Sequence, residues 1–240
     1  MCGRYVVTNP VNKTKKIVKT SIKVENDVNY NAHPSQELPI IKKYSNGLTL
    51  EKAKWGIIPS WAKKKDFKAL INARLETINE KVSFKNLIKK TRCVSVMDGF
   101  YEWKREGTIK TPHYFTRDDK ATMYVAGIFS NDEFCLITEE AQDNIKQIHH
   151  RQPVSLHEQD IEKYLESNED ITPFLIKRNK PNFEFYEISK DDISRSLSPI
   201  ASQIRESFIE NESLEDSLTD HNLTKCLILN CKAPHLLEQN

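Results

Sequence analysis

The hydrophobic positions change period along this 240-residue chain. From Asn9 to Ile22 (NPVNKTKKIVKTSI) apolar residues recur at helical spacing, with Asn9 as a cap and Pro10 in the first turn, which predicts a short helix. YNAHPSQELPII, residues 30–41, reads as a loop that becomes extended. GLTLEKAKWGIIPSWA alternates as a strand until Pro59 breaks it. SFKNLIKK predicts a helix capped by Ser83. Period two then takes over. CVSVMDGFYEWK, HYFTRDD, MYVAGIFS and FCLITEE read as successive strands, with SNDE as the hairpin turn between the last two. QPVSL adds a short strand, and HEQDIEKYLES is an amphipathic helix with an acidic first turn.

A strand-rich, antiparallel middle with helices before and after it predicts an α+β fold. No repeat, low-complexity tract or long linker divides the chain, so one domain over residues 1–240 is expected. Its last part, roughly 195–240, is acidic and rich in Ser and Asn; a helix and then a mobile segment are expected there before LTKCLILN.

Composition narrows the class. The chain is 38% hydrophobic and 29% charged, which suits a soluble globular protein. No apolar run approaches the roughly 18 residues of a membrane helix, and no basic-then-apolar leader opens the chain, so a cytoplasmic location without membrane contact is expected. The five cysteines are odd in number and irregular in spacing, a poor disulfide framework. Cys93 and Cys135 lie in apolar runs and read as reduced core residues. Cys226 and Cys231 flank LILN without a second close pair of ligands, so no metal site is expected.

The net charge of +2 hides an asymmetry. Residues 1–120 hold 25 Lys and Arg against 12 Asp and Glu, and residues 121–240 hold 11 against 22. From Lys52 to Arg92 there are twelve basic and three acidic residues. Such a half suits a polyanionic partner such as nucleic acid; a solvated lysine surface whose two halves pair in the fold is the alternative.

The candidate chemistry starts at Cys2. A small residue after Met1 makes methionine removal easy, and the product is a 1,2-aminothiol. That group condenses with an aldehyde first to an imine and then to a five-membered thiazolidine. A free α-amine titrates near about 7.7–8.0 and a thiol near about 8.5, so both reactive forms are accessible near neutrality without a large shift. An inert N-terminal residue is the alternative. Proton shuttling would need a carboxylate, and Glu102 in GFYEWK is a candidate, with alternation turning it away from Tyr101 and Trp103. A rim residue paired with a lysine is the other reading of Glu102. His149, in QIHHRQPV, can exchange a proton, or is a surface histidine beside His150. Asn72 and Arg74 of INARLET can orient a substrate and fork onto phosphate, or form a turn and a surface ion pair. Trp55, Trp61 and Trp103 lie in or near the basic region, as stacking platforms for single-stranded DNA or as core.

In order and spacing, MCGRY (1–5), YNAHPSQ (30–36), WGIIPSWAK (55–63), INARLETINEKVSFKNLIKKTRC (71–93), DGFYEWK (98–104), AGIF (126–129) and ITEEA with IHHRQPV (137–154) resemble the SRAP (SOS response-associated peptidase) family of abasic-site processing proteins. The resemblance implies a curved antiparallel, barrel-like core with flanking helices. It implies loss of Met1, and capture by Cys2 of the ring-opened aldehyde of an abasic site in single-stranded DNA as a thiazolidine crosslink, with no cofactor. By motif position, Asn72 would orient the Cys2 amine and the sugar. Glu102 would assist imine formation, and His149 would donate a proton as the sugar ring opens. Arg4 and Arg74 would hold phosphates. Trp55, Trp61, Trp103 and a wedge-like Pro34 would lie against bases. A monomer is expected. The chain departs from the family pattern at His33, at His150 and Gln152 in HHRQP, and after EISKDDIS (187–194). A cysteine peptidase using Cys2 and His149, or a non-covalent single-strand binder, are the competing functions.

Overall fold

The structure, a computed structural model, describes residues 2–62, 67–166 and 169–194. Strand β1 (Tyr5–Thr8) leads through helix α1 (Pro10–Thr14) to β2 (Ser21–Ile22), β3 (Val28–Ala32), β4 (Glu37–Tyr44) and β5 (Gly47–Trp55). After β6 (Asn72–Arg74) and α2 (Leu87–Lys90) come β7 (Arg92–Met97), β8 (Gly99–Glu106), β9 (Ile109–Arg117), β10 (Met123–Ser130) and β11 (Glu133–Glu140). Helix α3 (Asp143–Lys146) precedes β12 (Arg151–Pro153) and β13 (Ser155–Leu156). Helices α4 (Ile161–Glu166) and α5 (Thr172–Lys177), strand β14 (Phe183–Glu187) and helix α6 (Lys190–Ser194) follow.

The strands form two sheets. The smaller runs β14-β9-β8-β1-β3; the larger runs β12-β11-β10-β7-β4-β5-β2, with β13 on β10 and β6 on β11. Strand β11 also pairs in parallel with β5, through Glu133↔Lys54 and Phe134↔Trp55. This closes β5, β4, β7, β10 and β11 into a ring and leaves those strands without a free edge. The architecture is the α+β fold with a curved, barrel-like core that the motifs implied.

Alternation sorts the ring residues onto two buried faces. On one, Ile41, Val94, Ala126 and Ile137 pack with Ile88 of α2, Tyr164 of α4 and Leu175 of α5. On the other, Ile40, Met97, Val125 and Leu136 pack with Tyr5 of β1, Phe100 of β8 and Phe115 of β9. The second face joins the two sheets, and Cys2 belongs to it.

Several expectations change, and the residues Tyr30–Ala32 read as loop belong to β3. CVSVMDGFYEWK is two strands in different sheets, β7 and β8, and the chain crosses between them at Asp98. The Asp98 carboxylate accepts the Thr8 N–H at 2.7 Å and pairs with Lys13, which pins the crossing. The helix expected over Asn9–Ile22 is confined to Pro10–Thr14. Asn9 is left-handed at φ 49° and makes no side-chain cap bond, and Ser21–Ile22 joins β5 instead. The Thr14 hydroxyl bonds back to the Pro10 carbonyl at 2.7 Å, and the β-branched Ile17, Val18 and Thr20 that follow favour leaving the helix. Ser83 caps nothing. The chain makes turns there, with the Phe84 N–H on the Lys81 carbonyl at 2.9 Å, and α2 starts only at Leu87. Cys93 and Cys135 are buried free thiols, as expected. Cys226, Cys231 and the segment 195–240 lie outside the described residues. No described helix is long and apolar enough to cross a membrane.

Gly99, at the sheet crossing, has no room for a side chain. A Cβ would stand 2.2 Å from the Phe115 carbonyl oxygen and 2.5 Å from the Tyr114 ring. Gly99→Ala is expected to destabilise the protein by about 1–3 kcal/mol, read as a lower urea midpoint at unchanged slope.

Candidate active site at the start of the chain

Strand β1 lies inside its sheet, between β3 (Tyr5↔Ala32) and β8 (Tyr5↔Phe100, Val6↔Gly99). The Arg4 carbonyl accepts the Tyr101 N–H at 2.9 Å, so the ordering extends ahead of the strand. Cys2 is thereby drawn to 0% exposure, with Sγ 3.9 Å from the Arg4 carbonyl oxygen. Burial, and then the nearby Glu102 carboxylate, push its thiol well above the ordinary range. This corrects the expectation of an accessible thiolate near neutrality, because a buried thiolate lacks the solvation that makes it affordable.

Three of the sequence-selected side chains converge on Cys2. Asn72 opens β6, which pairs with β11 in parallel (Leu136↔Asn72). Its amide donates to the Cys2 carbonyl at 2.8 Å, and its Oδ1 is buried with no hydrogen-bond partner. Glu102 on β8 is 4% exposed and lies on the opposite side of the strand from Tyr101 and Trp103, as alternation predicted. Burial raises its carboxyl above the usual range. His149 follows α3, with Nδ1 3.8 Å from Glu102 Oε1. Its Nδ1 faces the Arg151 main chain, 3.1 Å from the N–H nitrogen and 3.2 Å from the carbonyl oxygen. Burial lowers its pKa to about 4, so the ring is neutral at pH 7.

The remaining selected residues surround this centre unequally. Arg4 donates through Nη1 to Asn31 Oδ1. Pro34 sits in the β3–β4 turn, where Gln36 braces the His33 N–H at 3.1 Å and Ser35 is left-handed at φ 76°. Arg74 is exposed. Trp61 is 56% exposed, edge-on to Phe67 at 5.3 Å. Trp103 packs against the Tyr101 and Tyr114 cluster, on the face of β8 away from Glu102. Trp55 is a correction. It is fully buried, 5.1 Å from the Tyr5 ring and 6.4 Å from Phe134, with its indole N–H on the Ile71 carbonyl at 2.9 Å. Enclosed in this way it has no face for a base and is core.

Sequence reasoning missed two neighbours. His113, 7% exposed, pairs across strands with Glu102 and packs on Phe185. A hairpin turning at Gly107–Thr108 fixes that register, and reading this turn would have found it. Arg105 is exposed and acts electrostatically on both Glu102 and His149; no local motif marks it. Among the described residues no group of three His, Cys, Asp or Glu could hold a metal ion. Two cavities of about 460 and 370 Å³ lie elsewhere, near Lys13. Of the cations that line them, Lys13, Arg117 and Lys120 are paired with Asp98, Asp119 and Glu184.

Against this geometry, the profile of the SOS response associated peptidase (SRAP) family matches residues 1–193. The chain belongs to the SRAP family. Abasic site processing protein YoaM of Bacillus subtilis is 31% identical over 207 residues, covering 79% of this chain and 91% of that protein. Abasic site processing protein YMR114C of Saccharomyces cerevisiae is 26% identical over 222 residues, and this chain spans 58% of its length. A crystal structure of a protein from Bacteroides thetaiotaomicron has the same fold, with a TM-score of 0.65 at 24% identity over 82% of this chain and 96% of that one. The departures from the SRAP pattern in HHRQP are accommodated locally. His150 stacks on His149 at 4.5 Å. Gln152 turns inward, donating to Glu139 at 3.1 Å and accepting the Gln142 N–H at 2.8 Å.

The lowered His149 pKa has a stability consequence of definite sign. An unfolded histidine titrates near about 6.5, so below that pH the unfolded chain binds a proton that the folded protein refuses. The His149 contribution is complete above about 6.5 and is lost as the pH falls towards about 4. His149→Asn is expected to shrink the drop in melting temperature between pH 7 and pH 5. A drop equal to that of the wild type would contradict this assignment.

Proposed function

We propose that the protein processes abasic sites in single-stranded DNA by covalent capture through Cys2, once Met1 has been removed. The observation that carries this reading is the convergence of Cys2, Asn72, Glu102 and His149 in a chain of the SRAP family. Relatives such as YoaM bear the name abasic site processing protein, which supports the substrate. The charge distribution supports the polyanion, with 25 Lys and Arg against 12 Asp and Glu in the first 120 residues.

The chemistry follows from the groups present. The Cys2 amine adds to the aldehyde carbon of the ring-opened sugar. Asn72 Oδ1, an acceptor lacking a partner, is suited to receive an N–H of that amine. Glu102, whose raised pKa lets it hold a proton, gives that proton to the departing hydroxyl. Water leaves and an iminium remains. The Glu102 carboxylate then takes the thiol proton, Sγ adds to the same carbon, and a neutral thiazolidine closes. One water is released for each aldehyde captured, and Glu102 ends protonated as it began. A thiol that stays protonated until the iminium forms is compatible with the burial of Cys2. His149 is the donor towards the sugar oxygen as the ring opens. The peptidase reading has less support, because a peptidase thiolate needs a lowered pKa and that of Cys2 is raised.

Intact mass before and after single-stranded abasic DNA tests the proposal. The expected species lacks Met1 and gains the DNA mass less one water. No adduct, or an equal adduct from Cys2→Ala, would sink it; equal, salt-sensitive binding to intact and abasic strands without any adduct selects the non-covalent alternative. An uncleavable residue ahead of Cys2 is expected to abolish the adduct. Glu102→Gln should slow adduct formation by about 100-fold or more. Trp61→Ala should weaken single-strand affinity by about 1–3 kcal/mol if a base stacks there, while leaving the melting temperature near that of the wild type.

A further inference from the structure

Asn72 and His149 reach Cys2 from short segments on opposite sides of the end of β11. Strand β6 contributes three residues and pairs in parallel with β11 (Thr138↔Arg74). Strand β12 contributes three residues and pairs antiparallel with it (Glu140↔Arg151). Ladders this short hold a segment weakly by themselves. A side-chain pair spans them. Glu76 lies in the turn directly after β6, four residues beyond Asn72, and Arg151 opens β12, two residues beyond His149. The guanidinium binds the carboxylate in a fork, Nη1 to Oε1 at 2.8 Å and Nη2 to Oε2 at 2.9 Å. Nη2 also donates to the Thr138 carbonyl at 2.7 Å, and Glu76 Oε1 also accepts the Glu140 N–H at 3.0 Å. Both partners are thus anchored to β11, the strand between them. The main chain of Arg151 also meets His149 Nδ1, with its N–H nitrogen at 3.1 Å and its carbonyl oxygen at 3.2 Å. A shift of Arg151 therefore alters both main-chain contacts that bear on the His149 tautomer balance.

We propose that the Glu76–Arg151 fork is a positioning element that locks Asn72 and His149 into one geometry around Cys2 and, through the Arg151 main chain, sets the His149 tautomer balance. This rests on the reaction proposed above. In this role both side chains act through other residues, being bonded to each other and to β11. A fork suits the task because two parallel bonds fix orientation as well as distance, which a lysine at 151 would not.

Glu76 is the residue to vary, since its side chain is 46% exposed and that of Arg151 only 9%. Single-turnover adduct formation is followed against the concentration of abasic single-stranded DNA. In Glu76→Ala the saturating rate is expected to fall on the order of 10- to 100-fold, with the half-saturating concentration and the melting temperature near those of the wild type. Glu76→Gln, which can still accept one of the two bonds, should fall between. A Glu76→Ala rate within about twofold of the wild type overturns the proposal, as does a loss confined to the half-saturating concentration. Imidazole ¹⁵N spectra of His149 give a readout independent of the reaction. A move of Glu76→Ala towards averaged tautomers supports the fork's role, and unchanged shifts overturn it. If the wild-type protein forms no adduct, the reaction fails as a reading, and these spectra alone decide the role of the fork.

Discussion

The structure depends on where the first strand sits. The first residues of a chain are ordinarily loose unless something ties them down. Here β1 is an interior strand with β3 on one side and β8 on the other, and the backbone pairing reaches forward to Arg4. Residue 2 is consequently part of the core that joins the two sheets. A thiol held there is protonated at rest, and a carboxyl held there keeps a proton more readily than in water. Both properties follow from burial, and both suit a condensation in which proton transfer must accompany bond formation.

The second determinant is the change of sheet at Asp98. Strands β7 and β8 are almost continuous in sequence, yet one belongs to the ring and the other to the smaller sheet. The crossing turns Glu102, Phe100 and, across the hairpin, His113 towards the shared core, and turns Tyr101 and Trp103 the other way. Asn72 and His149 are supplied differently, by brief strands and turns flanking β11. The site therefore combines two side chains on long, rigid strands with two on short segments that need side-chain bracing. Such a division concentrates sensitivity to remote substitution in the short segments.

The aromatic residues illustrate how burial separates residues that look alike in sequence. Trp55 and Trp61 lie six positions apart in the same motif. One is sealed between Tyr5 and Phe134 as part of the ring closure, and the other projects into solvent beside Phe67. Among the described residues, Lys43, Lys120 and Glu76 of the first half form ion pairs with Glu166, Glu184 and Arg151 of the second. An exposed aromatic ring and a half with an excess of cations are features suited to base stacking and phosphate contact.

Alternation by itself determined most of the strands of the middle and set Glu102 on the face opposite Tyr101 and Trp103, because these follow from a period of two along a local stretch, while apolar runs placed Cys93 and Cys135 in the core. The ordered motifs carried the family and the identity of Cys2, Asn72, Glu102 and His149 as a set. Local pattern could not show that CVSVMDGFYEWK changes sheet, because a strand's partners are chosen by distant segments. Nor could it show that Trp55 is core, that His113 faces Glu102, or that Glu76 and Arg151 meet across β11. Each of those depends on the register of residues far apart in the chain, which only the closed ring specifies. The raised Cys2 thiol has the same origin: desolvation is a property of a place in the fold, and the seven letters that open the chain contain no record of it.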